Sequence, residues 1–198
     1  MVEHRSDEAL LAEHLAGKTG AFDVLVGRYV DGLYAFFKRV VANAAAAEDL
    51  VQETFLQVHL AGGSFDPARS FRPWLYTVAA NKARDYMRAR GRRPVQSLDA
   101  SWGDAEGPTA GAQVEAAGTA GAEQVDGREQ IQEVRAVIAQ MPEHLRLILV
   151  LGYYQRLPYV EIAEILGIPV GTVKSRLHSA VSQFAQMWLA RAKNATPE

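Results

Sequence analysis

The sequence contains no cysteine among its 198 residues. Without thiols the chain cannot form disulfides or a thiolate-ligated metal site, and their absence fits a reducing compartment. No apolar run approaches the length of about 20 residues that spans a bilayer. The first residues alternate charged and apolar side chains and lack the apolar core of a signal peptide. We therefore expect a cytoplasmic protein that does not insert into a membrane.

Common active-site motifs are also missing. The five histidines form no HExxH pair, no glycine-rich phosphate loop follows a strand, and no nucleophile elbow is present. These absences predict a protein that is not an enzyme and that carries no metal or cofactor.

The charge of the chain is nearly balanced in total but uneven along its length. The formal net charge is -2, yet residues 69–93 contain eight Arg or Lys against one acid, Asp85. Residues 99–133 contain eight acids against one base, Arg128. A basic segment is thus followed by an acidic one, and only the basic segment favours contact with phosphates.

Aromatic rings are interleaved with the basic residues at helical spacing. Trp74, Val78 and Lys82 lie four apart, and Pro73 suits a first helical turn because the N–H it lacks would have no partner there. Exposed rings stack on unpaired bases, and cations attract the DNA backbone, so the segment is predicted to open and read DNA. The alternative is an ordinary core helix that buries Trp74, Leu75 and Val78 and leaves its arginines in solvent.

Three predicted helices precede the basic one. Ser6 is expected to cap a helix over residues 7–16, apolar periodicity predicts a core helix over 21–41, and Asn43 is expected to cap a helix over 44–60. The polar side of the third helix carries Asp49, Gln52 and Glu53. The first domain is therefore predicted as a bundle of about four helices covering residues 1–94.

Residues 95–127 lack helical periodicity and are rich in Gly, Ala and acids, so they are predicted to form a flexible linker. Trp102 within it either docks on a partner or pins the linker to a domain surface. Periodicity resumes near residue 130 and defines a second domain, 128–198. The predicted fold class is all-α, with two small helical domains.

The second domain ends in a helix-turn-helix pattern. Pro158 is expected to start a helix over 159–166 with Val160, Ala163 and Leu166 inward, Gly167 to close it, and Thr172 to cap the next helix. The apolar face of that helix would include Val181, Phe184 and Trp188. The opposite face would present Lys174, Ser175, His178 and Ser179 to a major groove, with Arg176 and Thr172 near the backbone.

Together the two modules resemble an extracytoplasmic-function (ECF) sigma factor of bacterial RNA polymerase. The resemblance is carried by AEDLVQETFLQVH (47–59), by FRPWLYTVAANKARDYMRARGRR (71–93), and by residues 157–180 with VGTVKSRL. It implies binding to promoter DNA and to core RNA polymerase, through the β′ clamp helices and the β flap, and control by an anti-sigma factor.

The resemblance also implies roles for single residues. Asp49, Gln52 and Glu53 would bind the polymerase clamp, and the acidic linker would thread toward the RNA exit path. Trp74 would lie in the melting region and Asn81 near a captured base. The full set implied at the minus-ten element comprises Phe65, Arg69, Trp74, Asn81, Lys82, Arg84, Asp85 and Arg88. At the minus-thirty-five element it comprises Thr172, Lys174, Ser175, Arg176, His178 and Ser179.

Two other binding functions compete with this interpretation. A helix-turn-helix repressor or activator would explain residues 158–188 but would leave the basic aromatic helix without a role. A helical adaptor that binds only protein would make the basic run a solvated face.

Overall fold

Helices account for the regular structure of the residues that can be described. The computed structural model describes residues 5–91 and 126–195. The first range contains α1 (Asp7–Leu15), α2 (Ala21–Val41), α3 (Ala44–Ala61), a 3-10 turn (Gly62–Ser64) and α4 (Phe71–Gly91). The second contains α5 (Asp126–Gln140), α6 (Glu143–Leu149), a π turn (Val150–Tyr154), α7 (Tyr159–Leu166) and α8 (Val170–Ala195). The predicted all-α class is confirmed, and no strand occurs in either range.

Local capping fixes the ends of the early helices as the sequence predicts. The Ser6 hydroxyl accepts a hydrogen bond from the N–H of Ala9, and Asn43 Oδ1 accepts one from Ala46 at 2.9 Å. Each bond satisfies an amide that the helix itself leaves without a partner. The predicted range of α2 agrees at both ends, and those of α1 and α3 differ by one residue.

The first module, residues 5–91, packs its four helices around aromatic and aliphatic side chains. Leu25 and Leu33 of α2 are fully buried, as are the neighbouring rings of Phe36 and Phe37. Thr54 is the one polar side chain of α3 that is fully buried. Its hydroxyl donates to the carbonyl of Leu50 at 2.6 Å, so the buried hydroxyl has a hydrogen-bond partner.

The second module, residues 126–195, has its own apolar core, in which Ile148, Leu151, Ile162, Val173 and Ala180 are all fully buried. Gly167 closes α7 with φ 65°, the left-handed conformation predicted for it. Gly152, in the π turn, allows Leu177 of α8 to approach, because a Cβ there would lie 3.2 Å from Leu177 Cδ1.

Three sequence predictions in this module are wrong in detail. Val160 is 68% exposed, because Ile162 forms the buried side of α7 and lies about 200° further round the helix. Thr172 does not cap α8: the N–H of Val173 bonds to the Pro169 carbonyl, so α8 begins at Val170. Val181 is 38% exposed, so the apolar face of α8 is narrower there than predicted.

The two modules pack against each other. Helix α7 lies along α4, while α5 and the π turn lie against α2. The predicted linker falls outside the described residues except for residues 126 and 127, which form the first turn of α5, and Trp102 falls outside them too. Among the helices described, none is long and apolar enough to cross a bilayer.

Candidate nucleic-acid interface

A cluster of three aromatic rings lies at the start of α4. Phe71 is fully buried, whereas Phe65 and Trp74 are half-buried. The Trp74 ring centroid lies 5.1 Å from that of Phe65 and 5.8 Å from that of Phe71. Phe65, one of the residues implied at the minus-ten element, packs against Trp74 and closes one side of the cluster. Trp74 keeps part of its surface in solvent, so the core interpretation of this helix holds only in part.

Helix α1 holds the first turn of α4 in place. Glu8 Oε1 accepts a hydrogen bond from the N–H of Phe71 at 2.8 Å, and this bond is the main reason the pKa of Glu8 is lowered. The carboxylate also sits at the positive end of the α4 dipole. Glu8 therefore fixes the position of the first turn of α4, which carries Phe71 and Trp74 of the aromatic cluster.

Helix α4 has one buried side and one exposed side. Leu75, Tyr76, Ala79, Ala80 and Ala83 are buried. Asn81, Asp85 and Arg88 are exposed, with Trp74 on the same side. The arrangement places a ring and an amide on the same solvent side of one helix, about two turns apart.

The cations of this exposed side already have local partners. Lys82 Nζ lies 3.0 Å from Glu53 Oε2, Arg88 pairs with Asp85 at 3.7 Å, and Arg84 donates to Asn81 Oδ1 at 3.1 Å. Exposed ion pairs of this kind contribute at most about 1 kcal/mol, so phosphate oxygens could replace the acidic partners. The pKa of Arg84 is lowered, chiefly by burial.

Arg69 is the one predicted minus-ten residue whose partner belongs to the other module: its guanidinium forms an ion pair with Glu164 of α7. Arg72, which was not among the predicted site residues, donates from Nη2 to the main-chain oxygen of Gln155 at 2.6 Å. The structure therefore does not bring Arg69 together with the other predicted cations on a free surface.

Helix α8 presents a separate polar face. Lys174, Ser175, His178 and Ser179 are exposed, whereas Thr172 and Arg176 are half-buried at its margins. Val173, Leu177 and Ala180 fix that orientation by burying the opposite side of the helix. The four exposed residues form one surface of about two turns, as the sequence predicted from their spacing.

A third exposed surface lies on α3. Asp49, Gln52 and Glu53 are all exposed, and beside them Leu56 and Leu60 are 57% and 69% exposed. The polar residues were predicted from the sequence, whereas the two leucines were not. Their spacing, four apart and in line with Gln52, was the available signal, since paired exposed leucines are typical of a protein contact.

The structure thus combines two helical modules, one with a half-exposed aromatic cluster on a basic helix and one with a helix-turn-helix. Residues 25–93 match the family model for Sigma-70 region 2, and residues 131–184 match that for Sigma-70, region 4.

Relatives of known class cover nearly the whole chain. It is 38% identical to the ECF RNA polymerase sigma factor SigW of Bacillus subtilis, over 82% of this chain and 86% of that protein. It is 36% identical to the RNA polymerase sigma-H factor of Pseudomonas aeruginosa, over 91% and 92% of the two chains. The ECF RNA polymerase sigma-E factor of Escherichia coli K12 is 34% identical, over 91% and 93%.

Solved structures agree with the fold. CnrH in complex with the cytosolic domain of CnrY matches with a TM-score of 0.68 at 24% identity, covering 94% of this chain and 99% of that one. The sigma factor RpoE of Bartonella quintana, in complex with the anti-sigma factor NepR, matches with a TM-score of 0.61 at 25% identity, covering 84% and 95%. The chain belongs to the ECF RNA polymerase sigma factors. Both modules match this family, so a stand-alone helix-turn-helix regulator is the poorer interpretation.

Proposed function

We propose that this sigma factor brings core RNA polymerase to specific promoters, where α4 opens the minus-ten element and α8 reads the minus-thirty-five element. The observation that carries the proposal is the presence of two separate solvent-facing sides: α4 has the half-buried Trp74 with the exposed Asn81, and α8 has the exposed Lys174 and His178. The proposed division is 1–94 and 128–198 for the two DNA-reading domains and 95–127 for the linker. The chain contributes binding, while bond formation belongs to the polymerase.

At the minus-ten element, a base removed from the duplex must exchange its stacking and pairing for contacts with protein. Trp74, supported from behind by Phe65 and Phe71, offers a ring held in a fixed position. Asn81 offers both a donor and an acceptor for the edge of a base. Lys82, Arg84 and Arg88 surround them with positive charge for the phosphates, and Arg69 joins them once it leaves Glu164.

At the minus-thirty-five element, α8 enters the major groove. Lys174 and His178 lie one helical turn apart on its exposed face, with Ser175 and Ser179 beside them. Lys at such a position donates to guanine, and the serines hydrogen-bond to either partner of a base pair. Thr172 and Arg176 are at the margins, where phosphates pass.

The α3 surface is the proposed contact for the β′ clamp helices. Asp49, Gln52 and Glu53 supply polar and acidic groups, and Leu56 and Leu60 supply an apolar centre that is otherwise left in water. A protein contact that buried both leucines would stabilise the complex by roughly 2–4 kcal/mol. The second module would bind the β flap, and the acidic linker would follow the RNA exit path.

An anti-sigma factor is the proposed regulator. Support comes from CnrH and RpoE, whose structures were solved with CnrY and with the anti-sigma factor NepR. Because polymerase and promoter are its proposed partners, the cytoplasm is its proposed location.

Run-off transcription tests the proposal. The full chain is added to core polymerase, genomic DNA fragments are transcribed, and transcript starts are sequenced. We expect starts that share two upstream elements, and we expect Lys174→Ala to weaken only promoters selected through the upstream one. Gln132→Ala, on the exposed side of α5, is the control and should transcribe like the parent chain. The absence of new transcripts at every promoter would refute the proposal.

A further inference from the structure

The side chain of Gln155 connects the two modules. It follows the π turn of the second module and is only 9% exposed. Its Oε1 accepts a hydrogen bond from the Tyr76 hydroxyl of α4 at 2.6 Å, and its Nε2 donates to the Gly32 carbonyl of α2 at 3.3 Å. Its own carbonyl accepts from Arg72 at 2.6 Å. We call these four residues, Gly32, Arg72, Tyr76 and Gln155, the module latch.

The first-module side of the latch is shaped to receive the glutamine. Tyr76 is 2% exposed, and burial raises its pKa to about 12, so its hydroxyl keeps the proton that it donates. Gly32 leaves room for that hydroxyl, because a Cβ at this position would lie 3.3 Å from it. A larger residue at position 32 would therefore press on the latch.

The second-module side is held by the backbone around Gln155. Its N–H bonds to the Val150 carbonyl at 3.0 Å, and the N–H of Leu157 bonds to Leu151 at 3.2 Å. Arg156 between them has φ 51°, an uncommon conformation for a residue with a side chain. The turn thus presents the glutamine toward α4 in one orientation.

Further contacts surround the latch. Arg69 of the first module pairs with Glu164 of α7, the Arg39 guanidinium lies 4.2 Å from the Tyr154 ring centroid, and Arg146 Nη2 contacts Met87 Sδ at 3.5 Å. Arg69 is one of the cations proposed for the minus-ten element, so the closed arrangement occupies a group that DNA binding needs.

The closed arrangement is also too small for the proposed promoter contact. A compact body made of the described residues alone has a diameter of roughly 40 Å, whereas two elements about 25 base pairs apart are separated by about 85 Å. The 34 residues between Gly91 and Asp126 can extend to about 120 Å, which covers that separation. The modules must therefore part before both faces reach DNA.

We propose that the module latch holds the free sigma factor in a closed, promoter-incompetent state and that breaking its hydrogen bonds releases the second module. The effect of the latch on promoter binding rests on the proposed function, whereas the contact between the two modules can be measured on the chain without polymerase or DNA. Losing the Tyr76–Gln155 bond leaves a buried polar group unpaired in the closed state only. The ratio of closed to open chains then falls roughly five- to a hundred-fold.

Distance measurements on the full chain test the latch without polymerase or DNA. Because the parent chain has no cysteine, spin labels attached at Asp23→Cys and Gln186→Cys report a single distance between two exposed sites, one in each module. Double electron–electron resonance should give one short distance for the parent. Tyr76→Phe and Gln155→Ala should each add a population beyond roughly 50 Å, the separation expected for two modules that are no longer packed together and are joined through 34 residues.

Matched controls separate latch release from general destabilisation. Tyr29→Phe also removes a hydroxyl hydrogen bond, the half-buried one to Asp7, but within the first module, and Gln132→Ala removes an exposed amide. Both should keep the parent distance. Helix content from circular dichroism shows which variants are folded. A parent that is already mostly extended, or folded latch variants with the parent distance, would overturn the proposal.

Transcription then separates this proposal from the promoter function. At sigma-factor concentrations too low to saturate core polymerase the latch variants should initiate more often than the parent, because more of each variant is open, and at saturating sigma factor they should initiate equally. If the distances shift but no protein initiates, the latch stands and the promoter function fails. If all initiate while the distances remain unchanged, the promoter function stands and the latch fails.

Discussion

Replacing Asn81 with alanine is the sharpest test of strand opening, because this side chain is exposed and its one hydrogen bond within the described residues is accepted from Arg84 at 3.1 Å. The change removes an amide and adds a better helix former, so the free energy of unfolding should stay the same or rise by a few tenths of a kcal/mol. Any loss of promoter opening then reports on DNA and not on folding.

The expected decrease in promoter opening can be calculated from the contacts that a captured base would lose. A base edge held by two hydrogen bonds, or a ring stacked on one base, is worth about 1–3 kcal/mol, which corresponds to about 5- to 150-fold in the equilibrium for opening. Asn81→Ala should lower opening within this range. Trp74→Ala should lower it as much, but it also removes a half-buried ring packed on Phe65 and Phe71 and should cost about 2 kcal/mol of stability.

The assay is the fluorescence of 2-aminopurine placed in the minus-ten element, recorded with saturating polymerase so that loading is complete in every sample. Trp74→Phe keeps a ring and should recover most of the loss seen in Trp74→Ala, while Gln132→Ala should open DNA like the parent. Undiminished opening by the double variant Trp74→Ala with Asn81→Ala would refute the argument for α4.

Three further predictions concern single residues: Glu8, Gly167 and Lys174. Glu8→Gln should lower the free energy of unfolding by about 1–2 kcal/mol at neutral pH, because the Phe71 N–H loses a charged acceptor. The folded-state pKa of Glu8 is below its ordinary value. The stability difference between the parent and Glu8→Gln, measured by urea unfolding, should therefore be full above about pH 5 and should disappear as acid protonates the carboxylate in the folded protein. A difference that persists in acid would contradict this origin. Gly167→Ala should destabilise the second module by about 1 kcal/mol, because its φ is 65° and the space around it is open, so that backbone strain is the main cost. The control Gly171→Ala lies in ordinary helical backbone and should stabilise the module. Equal effects of the two changes in urea titrations would show that the turn does not depend on left-handed backbone. If Lys174 meets a phosphate instead of a base, Lys174→Ala should reduce the salt dependence of promoter binding by about one unit of slope at all sequences, and an unchanged slope with relaxed specificity would place it at a base edge.

Local signals in the sequence predicted much of this architecture. The Asn43 cap and the apolar rhythm of residues 21–41 are read from neighbouring residues, and their helices appear where expected. Gly167 was predictable because few other residues adopt positive φ at low cost. The exposed face of α8 followed from spacing alone.

Long-range contacts explain what the sequence did not reveal. The Val160 error arose because several apolar residues in a short helix leave its orientation to its neighbours, here α4 and α8. Gln155 looked like one polar residue in a turn, since its partners Tyr76 and Gly32 are 79 and 123 positions away. The ion pair of Arg69 with Glu164 was hidden for the same reason.

Helix α1 lies upstream of the segment that matches sigma region 2, which begins at residue 25. Leu10 and Leu11 are nonetheless 0% and 1% exposed. A fragment cut at residue 25 would lose the side chains that pack under α4, the helix proposed to open DNA, and would lose the Glu8 bond that holds its first turn. Under the proposed function, binding of unpaired DNA by such a fragment should then fall although every residue proposed to contact DNA is retained. Anyone isolating this half of the molecule should start at or before Ser6.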